Sequence, residues 1–303
     1  MSARLDSGCP NQNAFHNILS GKGKTEVRRM KLSIARIAIH ALLMLYALIL
    51  AYILLGLVFK FYINGDIFFD LSFALLFFTL AQCFYELGVR KALLFLVVTS
   101  LIGFLAEVLG TSTGFPFGKY YYTDFLGPKV FGVPEVVPFV WFVIAYLTFS
   151  IARNAFWRQE QSGKDLMRLA LLAAFGSVAW DFLIDPMFSS YGYWVWTGQF
   201  FALPELDGIP LTNFVGWFVL VVLMLSVYFV VSKSNRHIVQ RSNTLDSQIV
   251  YCLLIVDGTI ANWSLGNYFV IAFGMAAMFA FLAVSYYSGK KKPVVENRPV
   301  VTQ

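Results

Sequence analysis

The chain has 303 residues, of which 58% are hydrophobic and only 13% are charged, against about 25% charged residues in soluble domains. Its net charge of +6 and pI of about 9.1 are typical of nucleic-acid binders, but a mean hydropathy of +0.68 leaves too few charges for a basic binding face. The composition therefore excludes a nucleic-acid partner and indicates a membrane protein.

Apolar runs follow one another along most of the chain, each long enough to cross a hydrocarbon core about 30 Å thick at about 1.5 Å per residue. The sequence therefore predicts an all-α, polytopic membrane helical bundle with about eight transmembrane helices. The seventh run is short and contains Asp257, so a seven-helix bundle with a re-entrant segment stays an alternative. The eight runs are 34–59, 67–85, 92–109, 136–151, 166–184, 213–231, 248–263 and 267–287.

The basic residues are distributed very unevenly between the two sides of this predicted bundle. If eight helices alternate, 20 of the 23 lysines and arginines lie on the side of both termini, and Lys60, Lys119 and Lys129 lie on the other. Because cytoplasmic loops are enriched in Lys and Arg, we place both termini in the cytoplasm of a cell-membrane protein. We expect a polar, basic tail over 1–33, a transmembrane domain over 34–289 and a second basic tail over 290–303.

The sequence shows no clear pattern for a signal peptide, a disulfide or a zinc site. The first 30 residues lack a small-residue cleavage site, so we expect no removable signal peptide. Cys9, Cys83 and Cys252 all fall on the predicted cytoplasmic side, and we expect neither a disulfide nor a zinc site.

Two outer connections, residues 113–142 and 186–217, differ from the rest of the chain. They hold 19 aromatic residues in 62 positions and seven of the ten prolines. We interpret these aromatic, Pro/Gly-rich loops as a rigid cover over an apolar ligand. In each, a Gly-x-Pro triplet is followed by a tryptophan nine residues after the glycine, at 132–141 and 208–217. This repeated spacing, called here the Gly-x-Pro echo, indicates either a duplicated helix–loop–helix unit or coincidence. Separately, an interfacial aromatic belt accounts for Trp141, Trp217 and Trp263.

Carboxylates gather at the same outer end. Glu107 lies near the end of the third predicted helix, and Asp181 and Asp185 lie near the end of the fifth, which we expect to stop at Pro186. The spacing of four puts the two aspartates on one helical face. Since two carboxylates in a poorly hydrated site do not both ionise readily, one supplies a general acid and the other a base. The alternatives are a helix-end role for Asp185 and interhelical hydrogen bonding for Glu107.

Other function classes fit less well. An isoprenoid-diphosphate transferase needs Lys or Arg for the diphosphate, and none lies between Asp185 and Thr212. A retinal protein needs a lysine in mid-span, which no predicted helix has. A proton-coupled transporter of an apolar solute stays open, although it predicts carboxylates throughout the depth of the bundle.

The two outer connections contain two sets of short motifs. One set comprises TGFPFGKY at 113–120, YT at 122–123, LGP at 126–128 and GVP at 132–134. The other comprises AWD at 179–181, DP at 185–186, GYWVW at 192–196, GIP at 208–210, NF at 213–214 and GW at 216–217. These motifs resemble the two signatures of the carotenoid hydratase family, membrane proteins of carotenoid biosynthesis that include carotenoid 1',2'-hydratases and bisanhydrobacterioruberin hydratases.

This resemblance implies cofactor-independent addition of water to the terminal C=C of an acyclic carotenoid held in the bilayer, with other carotenoid-biosynthesis enzymes as partners. From the chemistry we assign Asp181 as acid, Asp185 or Glu107 as water-activating base, and no metal. A cation-stabilising wall is expected from Trp180, Trp194, Trp196 and Tyr122, and further substrate contacts from Tyr120, Phe117, Asn213 and Trp217. An end-group cyclase begins with the same protonation and is the nearest alternative.

Overall fold

The computed structural model describes residues 12–61, 66–156, 162–198, 206, 208–232 and 244–290. In this part of the chain, eight helices are long and apolar enough to cross a membrane, which confirms the helical bundle. The helices are α1 (Gln12–Phe59), α2 (Asp66–Leu87), α3 (Val89–Thr113), α4 (Val137–Phe156), α5 (Gly163–Ser190), α6 (Leu211–Val231), α7 (Leu245–Leu265) and α8 (Tyr268–Lys290).

Three helices differ from the expectation. The helix α1 begins at Gln12, well before its apolar part starts at Leu32, because hydropathy marks the membrane segment rather than the first helical turn. The weak seventh run forms a continuous helix of 21 residues, so the re-entrant alternative is wrong. The helix α5 was expected to end at Pro186, but it continues to Ser190.

The neighbouring helix α7 supplies a hydrogen bond to the turn of α5 that precedes Pro186. Proline has no backbone N–H and disturbs the carbonyls of the preceding turn. The Asn262 side chain of α7 donates a hydrogen bond to the backbone oxygen of Leu183 at 2.7 Å. Transmembrane helices tolerate proline where a packed neighbour supplies such a donor. The side chain of Leu183 in turn fills the space over Gly258, so α5 and α7 approach closely.

The core of the bundle is centred on α4, most of whose residues are buried. Helix α4 packs against α3, α5 and α8, and α5 also packs against α6. Near the end of α4, Arg153 forms a buried ion pair with Glu86 of α2, which also accepts a bond of 2.7 Å from the Tyr146 hydroxyl. Arg153 is one of the 20 basic residues predicted on the side of the termini, yet its side chain is only 3% exposed.

The two aromatic loops contain short strands that the sequence did not predict. They are β1 (Tyr120–Tyr122), β2 (Lys129–Val130), β3 (Val133–Pro134) and β4 (Trp194–Trp196), with one 3₁₀ turn at Asp124–Leu126. Strands β1 and β4 come from different loops and pair antiparallel. The two loops are therefore joined into one cover at the same end of the bundle, called here the lid.

Candidate active site

Glu107 lies in the last third of α3 and is buried beneath the lid. The hydroxyls of Tyr120 and Tyr122 donate to its Oε2, the latter at 2.9 Å. The indole N–H of Trp141, on α4, donates to Oε1 at 2.9 Å. Both carboxylate oxygens therefore accept hydrogen bonds, which satisfies a group that would otherwise be costly to bury.

Asp181 and Asp185 lie one turn apart on α5, with side chains only 3% and 2% exposed. The amide of Asn213 on α6 donates to both, at 2.9 Å to Oδ2 of Asp181 and 2.6 Å to Oδ2 of Asp185. Oδ1 of Asp185 accepts from the indole N–H of Trp194 at 2.6 Å and of Trp196 at 3.3 Å. The Asn213 amide therefore bridges the two carboxyl groups, and the indoles of Trp194 and Trp196 bind the carboxyl group of Asp185 as well.

The pleat of the lid explains which side chains point inward. Tyr120 pairs with Trp196 and Tyr122 with Trp194, so all four lie on one face of the β1–β4 sheet. The intervening Tyr121 lies on the other face and is 52% exposed. Ring centroids are 4.9 Å apart for Tyr120 and Trp196 and 5.9 Å for Tyr122 and Trp194. The inner face of the sheet thus places the two tyrosines that bind Glu107 beside the two tryptophans that bind Asp185.

A second row of aromatic rings lies beneath this face. Phe117 packs on Trp141, which stacks on Trp217, and Trp217 meets the edge of Trp180, with centroids 6.1, 3.9 and 5.9 Å apart. The indole N–H of Trp180 is buried and has no hydrogen-bond partner among the described residues. The surroundings of the carboxylates are therefore aromatic and apolar.

The lid tyrosines remain neutral donors. Burial, and then the nearby Glu107 carboxylate, raise the pKa of both Tyr120 and Tyr122 well above the ordinary value of 10. At the lid surface, the hydrogen bond from Lys129 and its charge lower the pKa of Asp124. The hydroxyl, indole and amide donors named at the three buried carboxylates are all uncharged.

Most of the chain matches a known protein family. Residues 67–281, more than two thirds of the chain, match the family described as "Carotenoid biosynthesis protein". The chain belongs to this family. It is 26% identical over 195 residues to bisanhydrobacterioruberin hydratase of the archaeon Haloarcula japonica, covering 62% of this chain and 61% of that protein. The alignment therefore spans about three fifths of the relative's length. No solved structure matches the chain significantly.

The matched region of this family member includes the whole contact network. The structure brings together all eleven residues singled out from the sequence: Glu107, Phe117, Tyr120, Tyr122, Trp180, Asp181, Asp185, Trp194, Trp196, Asn213 and Trp217. Asp257, in the seventh apolar run, is half-buried on α7 and forms no hydrogen bond with these residues in the described part of the chain. Glu205 and Asp207, two acidic residues of the second outer connection, lie outside the described residues.

Sequence reasoning missed Trp141. The prediction of an interfacial belt position for Trp141 is wrong, because this residue is only 1% exposed and its indole N–H binds Glu107. The available signal was its place in the Gly-x-Pro echo, since the matching Trp217 was already a site candidate. Trp263, which was assigned to the same belt, is 65% exposed, and its interfacial position stays a prediction.

Proposed function

We propose that this protein adds water to the terminal C=C of an acyclic carotenoid end group and yields a tertiary alcohol. The observation that carries the proposal is the carboxyl pair of Asp181 and Asp185, bridged by Asn213 and enclosed by aromatic rings. The hydratase name of the archaeal relative supports the same reaction class.

The hydrogen bonds indicate where the proton of this pair lies. Indole N–H groups only donate, so Oδ1 of Asp185 is an acceptor, and Oδ2 accepts from Asn213. Both oxygens of Asp185 therefore suit a carboxylate. Asp181 accepts the Asn213 amide at Oδ2, which leaves Oδ1 to carry a proton. A single proton on Asp181 avoids two adjacent like charges in an apolar site.

The reaction then needs one proton and one water. Asp181 transfers its proton to the less substituted alkene carbon, and the π electrons form the new C–H bond, which leaves a tertiary cation. The oxygen of a water attacks this cation, and the water's proton passes to a carboxylate. Transfer of that proton back to Asp181 completes the cycle without any net change in the protein.

Asp185 is the better placed of the two candidate bases. It shares the Asn213 amide with Asp181, so the proton has only a short distance to return. Glu107 is held by two tyrosine hydroxyls and an indole. We assign Glu107 to positioning the lid tyrosines and to adding negative potential near the cation.

The aromatic rings stabilise the cationic intermediate. Trp194, Trp196 and Tyr122 direct their polar edges to carboxylates. Cation–π attraction to such rings contributes up to about 2 kcal/mol each when the site is desolvated. Trp180 and Trp217 extend the apolar wall, and with Tyr120 and Phe117 they would contact the end group. In our proposal, this end of the bundle faces away from the cytoplasm, and both termini lie on the cytoplasmic side of the cell membrane.

Expression in a host that makes lycopene tests the reaction. We expect a new carotenoid heavier by one or two waters, found by liquid chromatography and mass spectrometry, with an ¹⁸O label after growth in H₂¹⁸O. An isomer of unchanged mass would instead identify a cyclase. Unchanged carotenoids with altered uptake of an apolar solute would favour a transporter.

A further inference from the structure

The hairpin formed by β2 and β3 has an unusual turn. Its strands pair Lys129 with Pro134 and Val130 with Val133, so Phe131 and Gly132 alone make the turn. Both have positive φ, +51° and +82°. Such two-residue turns favour Asn-Gly or Asp-Gly, because a bulky side chain is disfavoured in the left-handed conformation. Phe131 therefore occupies a position where local backbone preference selects against it.

Packing within the chain does not account for this phenylalanine. Its side chain is 79% exposed, whereas Val133 and Pro134 on the returning strand are buried. The hairpin is thus anchored on one strand while its tip projects outward. Phe115 and Phe125 of the same loop are also strongly exposed, at 68% and 64%.

The tip lies beside the end of a membrane helix. A Cβ atom built on Gly132 would be 3.7 Å from Oγ1 of Thr111, in the last turn of α3. Leu109 and Leu105, two and six residues before Thr111 on the same helix, are exposed on the surface of the bundle. The hairpin tip therefore lies beside the last turn of a helix that is long and apolar enough to cross a membrane. Aromatic side chains partition favourably into the interfacial zone at the end of such a helix.

We propose that the β2–β3 hairpin is a membrane anchor whose tip, Phe131, inserts into the interfacial region of the lipid leaflet at the carboxylate end. This contact holds the loop that carries Tyr120 and Tyr122 against the bilayer surface. The occupant is lipid, since the tip adjoins exposed leucines of a membrane helix. The inference does not depend on which reaction the site performs.

Spin labelling of the full chain in phosphatidylcholine vesicles tests the anchor. Cys9 and Cys252 are replaced by serine, the buried Cys83 is kept, and a nitroxide is attached to Phe131→Cys. A label at Asp124→Cys is the matched control from the same loop, because the Asp124 side chain is fully exposed. We expect O₂ to relax label 131 several-fold more effectively than a water-soluble nickel chelate, and the opposite at 124.

Two results would overturn the proposal. Nickel accessibility at 131 equal to that at 124 would place the tip in water. Poor access of both relaxants would mean that another protein surface, such as a second copy, covers it. A Phe131→Asn variant provides an independent check, since asparagine suits the turn. We expect its unfolding midpoint in detergent to equal or exceed that of the parent, and a clear decrease would show that Phe131 serves internal packing.

Discussion

The indole rings of Trp141 and Trp217 stack with centroids 3.9 Å apart and planes inclined by 28°. Each tryptophan follows a Gly-x-Pro turn whose glycine has φ near +80°, at Gly132 and Gly208. The residues after these glycines, Val133 and Ile209, are both fully buried. The echo between the two loops therefore corresponds to two similar local structures that meet at one contact.

The same relationship extends to the helices and strands. One unit runs from α3 through β1 to α4, and the other from α5 through β4 to α6, with β1 and β4 antiparallel as in a pair related by a two-fold axis. In the first unit two tyrosines bind Glu107, and in the second two tryptophans bind Asp185. This correspondence favours duplication over coincidence.

Replacement of Gly103 by alanine tests whether the Trp141 ring must pack directly against the α3 backbone. The added Cβ would lie 2.4 Å from Trp141 Cγ, so the ring must shift and its bond to Glu107 must weaken. We expect the free energy of unfolding to fall by about 1–3 kcal/mol, the usual effect of overpacking, with loss of product. Gly163→Ala is the control, because nothing lies within 4 Å of its Cβ position. Equal melting temperatures for the two variants in detergent would contradict this role of Trp141.

Asp181→Asn removes the proposed acid while preserving side-chain size. An asparagine oxygen still accepts from Asn213, so the fold should be retained, but no proton is available for the alkene. We expect hydrated carotenoid to fall by about 10²–10⁴-fold in the lycopene host, the usual contribution of a general acid. Asp257→Asn, on α7 and outside the network, should retain full activity. If both variants make product at the parental rate, Asp181 is not the acid.

The alkaline stability of the lid follows from Tyr120 and Tyr122. Because the pKa of each is raised in the folded chain, their contribution is fully present below about pH 10, the ordinary tyrosine value. It is lost as pH rises through the folded pKa, since the unfolded chain then releases protons more readily. We expect the double Phe variant to be less stable at pH 8 and to lose less further stability between about pH 10 and pH 11. Chemical unfolding across this range measures both effects, and parallel pH curves for parent and variant would contradict the prediction.

The sequence was informative where a single pattern determines the result. Long apolar runs require helices, and buried carboxylates require partners, so the bundle and the clustering of Glu107, Asp181 and Asp185 could be foreseen. The β1–β4 sheet could not, because strands of three residues depend on pairing between loops more than 70 positions apart. Trp141 was misassigned for a related reason: an interfacial tryptophan and a buried donor look alike until the carboxylate opposite is known.

Arg153 shows that the same limit applies to charged residues. Counting basic residues by side treats Arg153 and Arg168 alike, yet Arg153 is buried with Glu86 while Arg168 is 61% exposed and 3.7 Å from Asp165. Loss of one partner from a buried pair leaves an uncompensated charge and costs about 3–5 kcal/mol. The Arg168 guanidinium is exposed to solvent although Asp165 is buried, and an ion pair with such an exposed cation contributes about 1 kcal/mol or less. Arg153→Leu should therefore lower the unfolding midpoint in detergent far more than Arg168→Leu. Restoration of stability in Arg153→Leu by Glu86→Leu would confirm that the unpaired carboxylate is the cause, and equal midpoints for the two single variants would contradict it.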